Sequence, residues 1–200
     1  RQIAFSLDSP ASRAEHSLTH DKPRFAFFQV FQPRGGGKRQ APTFDVIAPG
    51  VAKHEEEIVL APGAEPAADP NLVLRVAVAA AEFGLPIAPG TLRNLKKCPI
   101  GDRNWTDESR ELFIRLLASG PALLNVWEDI DFIDVPGKLI PEWLGVRNRP
   151  SASAAHRYTI DRHMVEVVTR LGRETPSGGR YDDRHYEALL LAGILHDIGK

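Results

Sequence analysis

The stretch that decides the fold of this chain is "LLLAGILHDIGK", residues 189–200. Its first half is an unbroken run of apolar and small residues, which predicts a helix that is buried on almost every side. The run leads directly into His196 and Asp197. Burying a carboxylate without a partner is costly, and coordination to a metal ion is one way to compensate that cost. The sequence therefore predicts that this last helix, which we extend to the end of the stretch, brings part of a metal site to the protein interior.

A second helix is predicted over residues 156–172, "HRYTIDRHMVEVVTRLG". Its apolar residues recur at helical spacing. They are Ile160, Met164, Val167, Val168 and Leu171. His163 lies at the edge of that apolar stripe. Neighbouring residues of a helix point about 100° apart, so His196 and Asp197 can share one ion only where another helix packs across them and supplies His163.

The chemistry of this set fits a divalent metal, because imidazole nitrogen and carboxylate oxygen together suit Mn, Fe, Zn or Mg. Ala192 and Gly193 would permit the close approach of the two helices. Two alternatives stay open. His163 could be an ordinary hydrogen-bonded core histidine, and His156 is a rival ligand. We prefer His163, because His156 precedes the predicted helix start at Thr159 and so lies on a loop.

The region upstream is predicted to be mainly helical, with a small β-hairpin of two strands around the turn at Pro49 and Gly50. Asp69 is the expected N-cap of the first helix and Gly84 its expected C-terminal cap. Thr106 is expected to cap the third helix. The predicted helices cover residues 70–83, 91–97, 106–119 and 121–135, and an apolar cluster with a turn at Pro141 follows in 138–150.

Composition excludes several classes of protein. The 200 residues carry a formal net charge of -1, whereas nucleic-acid binders usually show a basic excess. The single cysteine, Cys98, permits no internal disulfide and favours a reducing, cytoplasmic location. The apolar runs are about half of the ~20 residues that span a bilayer, so no membrane role is expected. Residues 1–42 are poorly defined: 24–31 reads as a short strand, and the basic "QPRGGGKRQAP" that follows favours a linker over a phosphate contact.

"LLLAGILHDIGK" resembles the signature of the HD superfamily of metal-dependent phosphohydrolases, in which a His, a His-Asp pair and a later Asp hold the metal. By this resemblance His163, His196 and Asp197 match the first three ligands, and the later Asp would lie beyond Lys200. Asp197 and Lys200 are the candidate catalytic residues, since these enzymes often place a basic residue near phosphate. The alternative for Lys200 is an exposed lysine at a helix end. The implied cofactor is a divalent metal, with Mg or Mn favoured.

The resemblance extends further upstream. "LIPEWLGVRNRPSASAAHRYTIDRHMVEVV", residues 139–168, is similar to the entry into the HD domain of the bifunctional enzymes that add UMP to the PII nitrogen-signalling protein and remove it. "APGVAKHEEEIVLA" and "FIRLLASGPALLNVWEDID" are similar to the region between the nucleotidyltransferase and HD domains of that family, most of all in its actinobacterial members. The resemblance covers about residues 41–200.

This resemblance implies three parts: a poorly defined segment at 1–42, a helical linker region at 43–150, and the N-terminal part of an HD domain at 151–200. The expected fold class is mainly α: a helical linker domain with a small β-hairpin, then the truncated start of an all-α HD domain. We interpret the chain as an internal fragment, because it begins with Arg1 and ends before the last expected ligand. The nucleotidyltransferase motif is not in the chain, so the fragment itself is expected to be inactive or nearly so.

The implied function is part of a bifunctional enzyme of nitrogen regulation, of which this segment carries the start of the UMP-removing phosphodiesterase domain. The implied partners are the PII protein and, in the full-length enzyme, UMP, UTP and glutamine. One alternative is another HD phosphohydrolase, of the tRNA nucleotidyltransferase type or an alarmone hydrolase. The other is a non-catalytic helical regulatory module. Binding of a divalent metal would separate the enzymes from the module.

Overall fold

A small antiparallel sheet opens the part of the chain that the computed structural model describes, which is residues 43–101, 105–151, 158–172 and 183–200. The strands are β1 (Asp45–Ala48), β2 (Val51–His54) and β3 (Glu57–Leu60), in the order β1-β2-β3. Gly50 makes the predicted first turn with φ 75°. The third strand is not in the sequence prediction. It follows a second turn, in which Glu55 takes a positive φ of 53°.

Helix α1 (Leu72–Phe83) packs on this sheet and is buried along most of its length. Its alanines suit a helix with neighbours on several sides, because they add no side-chain entropy cost and little bulk. Gly84 ends the helix in the left-handed conformation with φ 64°, as predicted. The prediction for Asp69 is wrong, since the N-cap is Asn71. Asp69 instead accepts a hydrogen bond from the Asn71 backbone N–H at 3.0 Å, just ahead of the helix.

Arg75 on α1 joins three neighbouring segments. Its guanidinium donates to both carboxylate oxygens of Asp69 at 2.8 Å, to Glu108 at 2.8 Å and to the Pro49 carbonyl at 2.6 Å. The planar guanidinium can make these contacts together because its donors point in several fixed directions. Arg75 therefore connects the sheet, the start of α1 and the start of the third helix.

The next three helices are α2 (Pro89–Leu95), α3 (Asp107–Leu117) and α4 (Ala122–Phe132). The Thr106 side chain accepts a hydrogen bond from the Ser109 backbone N–H at 3.0 Å, which confirms its predicted capping role. Helices α3 and α4 both pack on α1. Their apolar faces meet in one core that contains a T-shaped pair of aromatic rings, Trp127 and Trp143, with centroids 5.2 Å apart.

The region of the predicted apolar cluster around Pro141 contains two short helices, α5 (Val135–Leu139) and α6 (Trp143–Val146). Trp143 is fully buried, whereas Leu144 is exposed. Asp134 has a positive φ of 63° directly before α5. This left-handed residue separates α4 from α5. The pattern of apolar residues in the sequence does not predict such a break.

The described part of the chain ends with α7 (Ile160–Leu171) and α8 (Asp183–Leu195), which pack against each other. Helix α7 also packs on α4, so it buries two faces. The described residues confirm the predicted fold class, mainly helical with a small β element. Among them, no helix is long and apolar enough to cross a membrane. The boundary at residue 150 stays a prediction, and the predictions for 1–42 lie outside the described residues.

Candidate metal centre

Helix α8 ends earlier than the sequence predicts. It stops at Leu195, and the next residues form tight turns in which the backbone N–H of Ile198 bonds to Leu195 O and that of Lys200 to Asp197 O, both at 3.1 Å. His196 and Asp197 are therefore not neighbours on a regular helix.

The close approach predicted at Gly193 is present. A Cβ atom added at this position would lie 2.8 Å from Cδ1 of Leu171 and 3.1 Å from Cγ2 of Val168, inside normal contact distance. The same prediction is wrong for Ala192, which is exposed. Burial of α8 is also one-sided, because Leu195 is partly exposed. The helix therefore presents one apolar face to α7 and keeps a second apolar face at the surface of the described chain.

Three potential metal ligands converge at this crossing: His163 from α7 and His196 and Asp197 from the turn after α8. One ligand atom from each lies within 4.8 Å of the other two. The two imidazole rings meet edge to face, with centroids 5.3 Å apart. This is the juxtaposition that the sequence predicts. Among the described residues it is the one group of three or more His, Cys, Asp or Glu side chains with this spacing.

The hydrogen bond of His196 defines which nitrogen faces the cluster. Nδ1 lies 2.8 Å from the Gly193 carbonyl oxygen. A carbonyl can only accept, so Nδ1 carries the proton and Nε2 keeps its lone pair. Nε2 lies 3.7 Å from Oδ2 of Asp197. A backbone partner of this kind orients a histidine ligand, so the ring is held ready to coordinate through Nε2.

The side chain of Asp197 is 11% exposed, against 35% for the side chain of His196. Lys200 Nζ lies 2.8 Å from its Oδ2. The hydrogen bond to Lys200 is the main cause of a lowered pKa of Asp197, and the nearby histidines contribute to the same shift. Asp197 therefore stays ionised, which is the form that binds a metal.

Arg149 is a further basic residue of this region, and sequence reasoning missed it. Its guanidinium donates to the Lys200 carbonyl oxygen, and its own carbonyl accepts from the Ile160 backbone N–H at 2.9 Å. Arg149 thus ties the turn that carries Asp197 to the start of α7. The "RNRP" stretch offers a basic residue in the sequence, but nothing there indicates a partner 51 residues later.

The donor set fits a divalent ion. Two imidazole nitrogens and one carboxylate oxygen are typical ligands for Zn, Mn and Fe, and they leave positions for water and phosphate. Ligands at ~2.1 Å from one ion are separated by up to ~4.2 Å. The ligand atoms lie within 4.8 Å of one another, so a small inward movement of the side chains is enough to seat an ion. The rival ligand His156 lies outside the described residues.

Fold and site together define a mainly helical protein segment with a candidate His-His-Asp metal centre. The chain is 40% identical over 169 residues to a Streptomyces coelicolor protein named bifunctional uridylyltransferase/uridylyl-removing enzyme, an alignment that covers 84% of this chain and 19% of that protein. A Mycobacterium tuberculosis protein of the same name is 40% identical over 152 residues, covering 76% of this chain and 18% of the relative. One from Corynebacterium glutamicum is 34% identical over 132 residues, covering 66% and 18%.

The chain is therefore homologous to one segment of the bifunctional uridylyltransferase/uridylyl-removing enzymes, which confirms the resemblance to those enzymes. It spans about a fifth of the length of these curated relatives. No family model matches the chain, and no solved structure matches it.

Proposed function

We propose that this chain supplies the first metal ligands of the uridylyl-removing centre in a bifunctional enzyme of nitrogen regulation. The observation that carries the proposal is the convergence of His163, His196 and Asp197 within 4.8 Å, in a segment homologous to enzymes of that name. Homology supports the reaction, and the ligand cluster supports a metal-dependent hydrolysis. An HD-type phosphohydrolase arrangement accounts for both.

The proposed reaction is hydrolysis of a phosphodiester between UMP and a tyrosine of the PII protein. A bond forms between the water oxygen and phosphorus, and the bond between phosphorus and the tyrosine oxygen breaks. The water loses a proton, and the tyrosine oxygen gains one as it leaves. A divalent ion, Mg or Mn in our proposal, would lower the pKa of the attacking water and polarise the phosphoryl oxygens.

The residues of this chain have distinct roles in the proposal. His163, His196 and Asp197 hold the ion, and the Gly193 carbonyl keeps the His196 Nε2 directed at it. Lys200, whose side chain is largely exposed beside Asp197, provides a positive charge for a phosphoryl oxygen. In the structure the Lys200 ammonium group pairs with Asp197. The side chain of Lys200 must therefore rotate away from Asp197 to reach the phosphate.

The wider setting of the proposal follows from the relatives. Their name states both addition and removal of a uridylyl group, so we expect UTP to serve as the donor and UMP to be the product of removal. We propose the PII signalling protein as the modified partner and glutamine as a regulator of the full-length enzyme. A cytoplasmic location fits these partners.

The test separates the two activities in the full-length enzyme. Asp197→Ala removes a metal ligand, so it should abolish UMP removal from uridylylated PII and leave UMP addition unchanged. Asp129→Asn is a matched control, because it removes a carboxylate charge on α4, outside the ligand cluster, and should leave both activities intact. Release of UMP measured by chromatography reports removal. Full removal activity in Asp197→Ala would contradict the ligand role.

A further inference from the structure

A second polar pocket lies where α4, α6 and α7 meet, lined by different residues from the metal ligands. Its volume is about 180 Å³. Trp127 and Asp131 line it from α4, Trp143 from α6, and Asp161 and Arg162 from the start of α7. These side chains include aromatic rings, carboxylates and a guanidinium, so the pocket is not a simple packing defect between apolar helices.

Three buried polar atoms of this pocket have no hydrogen-bond partner among the described residues. They are the indole Nε1 of Trp127, the indole Nε1 of Trp143 and Oδ1 of Asp131. The two tryptophans are only 4% and 1% exposed. A buried polar group without a partner costs about 1–3 kcal/mol, and native proteins contain few of them. Finding three around one pocket indicates that a molecule within it completes their hydrogen bonds.

The charged groups around the pocket already have partners. Oδ2 of Asp131 accepts from Arg147 Nε at 3.0 Å, and Arg162 pairs with Glu128 and Glu166. Both carboxylate oxygens of Asp161 accept backbone N–H groups, from Asn148 at 2.7 Å and from Arg162 at 2.8 Å. What remains is two neutral donors and one acceptor. That set selects an uncharged occupant rather than a metal ion or an anion.

Burial raises the pKa of the Asp131 carboxyl group, and the neighbouring Arg147 and the Trp143 N–H partly offset that rise. The contact between the Trp143 N–H and the Asp131 carboxylate does not meet the distance and angle of a direct hydrogen bond. A water molecule occupies about 30 Å³ in the liquid and needs two to four polar partners, so the pocket has room for several.

We propose that this pocket is a binding site for a small uncharged polar molecule, ordered water being the simplest member of the class. Its occupant accepts from the indole N–H groups of Trp127 and Trp143 and donates to Oδ1 of Asp131. The occupant joins α4 and α6 to the start of α7, the helix that also carries His163. The site thus supports the helix that supplies the first ligand of the candidate metal centre.

Three measurements on the chain test this proposal. A crystal structure at about 1.5 Å should show density within hydrogen-bond distance of Asp131 Oδ1 and of at least one of the two indole nitrogens. In solution, NMR should show cross-peaks between bound water and the indole protons of Trp127 and Trp143. Trp105 is the internal control, because it is 44% exposed and should exchange with bulk solvent instead. Native mass spectrometry separates the occupants: an added mass identifies a retained small molecule, and its absence with density present identifies water.

Matched variants make the assignment specific. Trp143→Phe removes one donor and should remove or displace the bridging density, whereas Trp105→Phe should leave it unchanged. A direct hydrogen bond between Trp143 and Asp131, with no density in the pocket and no long-lived water at either indole, would overturn the proposal. The NMR arm needs no substitution, so a variant that fails to fold does not weaken the test.

Discussion

Gly172, at the end of α7, offers a sharp test of the packing that positions this helix. The residue has φ −63° and ψ −12°, which any amino acid adopts. A Cβ atom at this position would nevertheless lie 2.8 Å from the nitrogen and 3.0 Å from the Cα of Gly120, and 3.1 Å from the Ala118 carbonyl oxygen. Gly172→Ala is therefore a steric perturbation and not a conformational one.

The magnitude follows from the nature of the obstructing atoms. All three belong to the backbone of the turn between α3 and α4, so no side chain can rotate away. Normal contact between heavy atoms needs about 3.5–4.0 Å, which requires a backbone shift of roughly 0.5–1 Å. Overpacking of this kind costs roughly 1–3 kcal/mol. For a protein of this size, that corresponds to a fall in Tm of roughly 2–12 °C.

The assay is thermal and urea denaturation of the chain, followed by circular dichroism. Gly145→Ala is the matched control: it lies in α6, and an added Cβ would meet nothing within 4 Å. That variant should keep the stability of the parent chain or gain up to about 1 kcal/mol from helix propensity. A Gly172→Ala variant as stable as the parent would refute the reasoning, because it would show that the turn yields without cost.

Three further predictions concern single side chains. Arg75→Met should lower the free energy of unfolding by roughly 2–3 kcal/mol in urea denaturation, because it removes charge-assisted hydrogen bonds that connect three segments; an unchanged midpoint would contradict this. Cys98 should react with iodoacetamide far more slowly in the native chain than in the unfolded one, since burial raises the pKa of its thiol to about 11; equal rates would contradict this. Burial and the neighbouring Glu128 raise the pKa of Asp129. The Asp129 carboxyl group therefore binds its proton more tightly in the folded state than in the unfolded state. At pH values above those at which carboxyl groups titrate, the ionised Asp129 side chain disfavours folding. Asp129→Asn should therefore raise Tm at about pH 7 but not at about pH 3, and a gain that is equal at both would refute the assignment.

The crossing of α7 and α8 could be predicted from sequence because each helix carries a periodic apolar face and a chemically unusual residue. His163 and the His196-Asp197 pair are isolated polar groups beside such faces, and Gly193 marks the closest approach. The folded structure retains these local features, so they could be read from the sequence. The exact end of α8 could not be predicted, because residues 196–199 have no proline and only one late glycine to indicate the turn.

The third strand was missed for a different reason. The sequence "HEEE" lacks the glycine or asparagine that usually marks a two-residue turn, and the reversal instead uses a positive φ at Glu55. The strand that follows pairs with β2 along its whole length, from Val51 with Leu60 to His54 with Glu57. Pairing with a neighbouring strand thus outweighs the low β-propensity of the glutamates.

Features that join distant segments were not accessible from sequence at all. The polar pocket at α4, α6 and α7 requires that Trp127 and Trp143 come together from separate helices with Asp131 beside them. Arg149 reaches the turn after α8 from 51 residues away. No periodicity or motif reports such contacts, because each residue alone reads as an ordinary core tryptophan or surface charge.

The central claim is that His163, His196 and Asp197 hold one divalent ion, and binding of Mn²⁺ to the chain tests it directly. Calorimetry and electron paramagnetic resonance should show one ion per chain. Asp197→Ala and His163→Ala should each weaken binding at least about tenfold. His54→Ala is the control, because that imidazole bonds to the Thr43 carbonyl outside the cluster and should leave the affinity unchanged. Binding that is absent in the parent chain, or equally strong in all four proteins, would contradict the account.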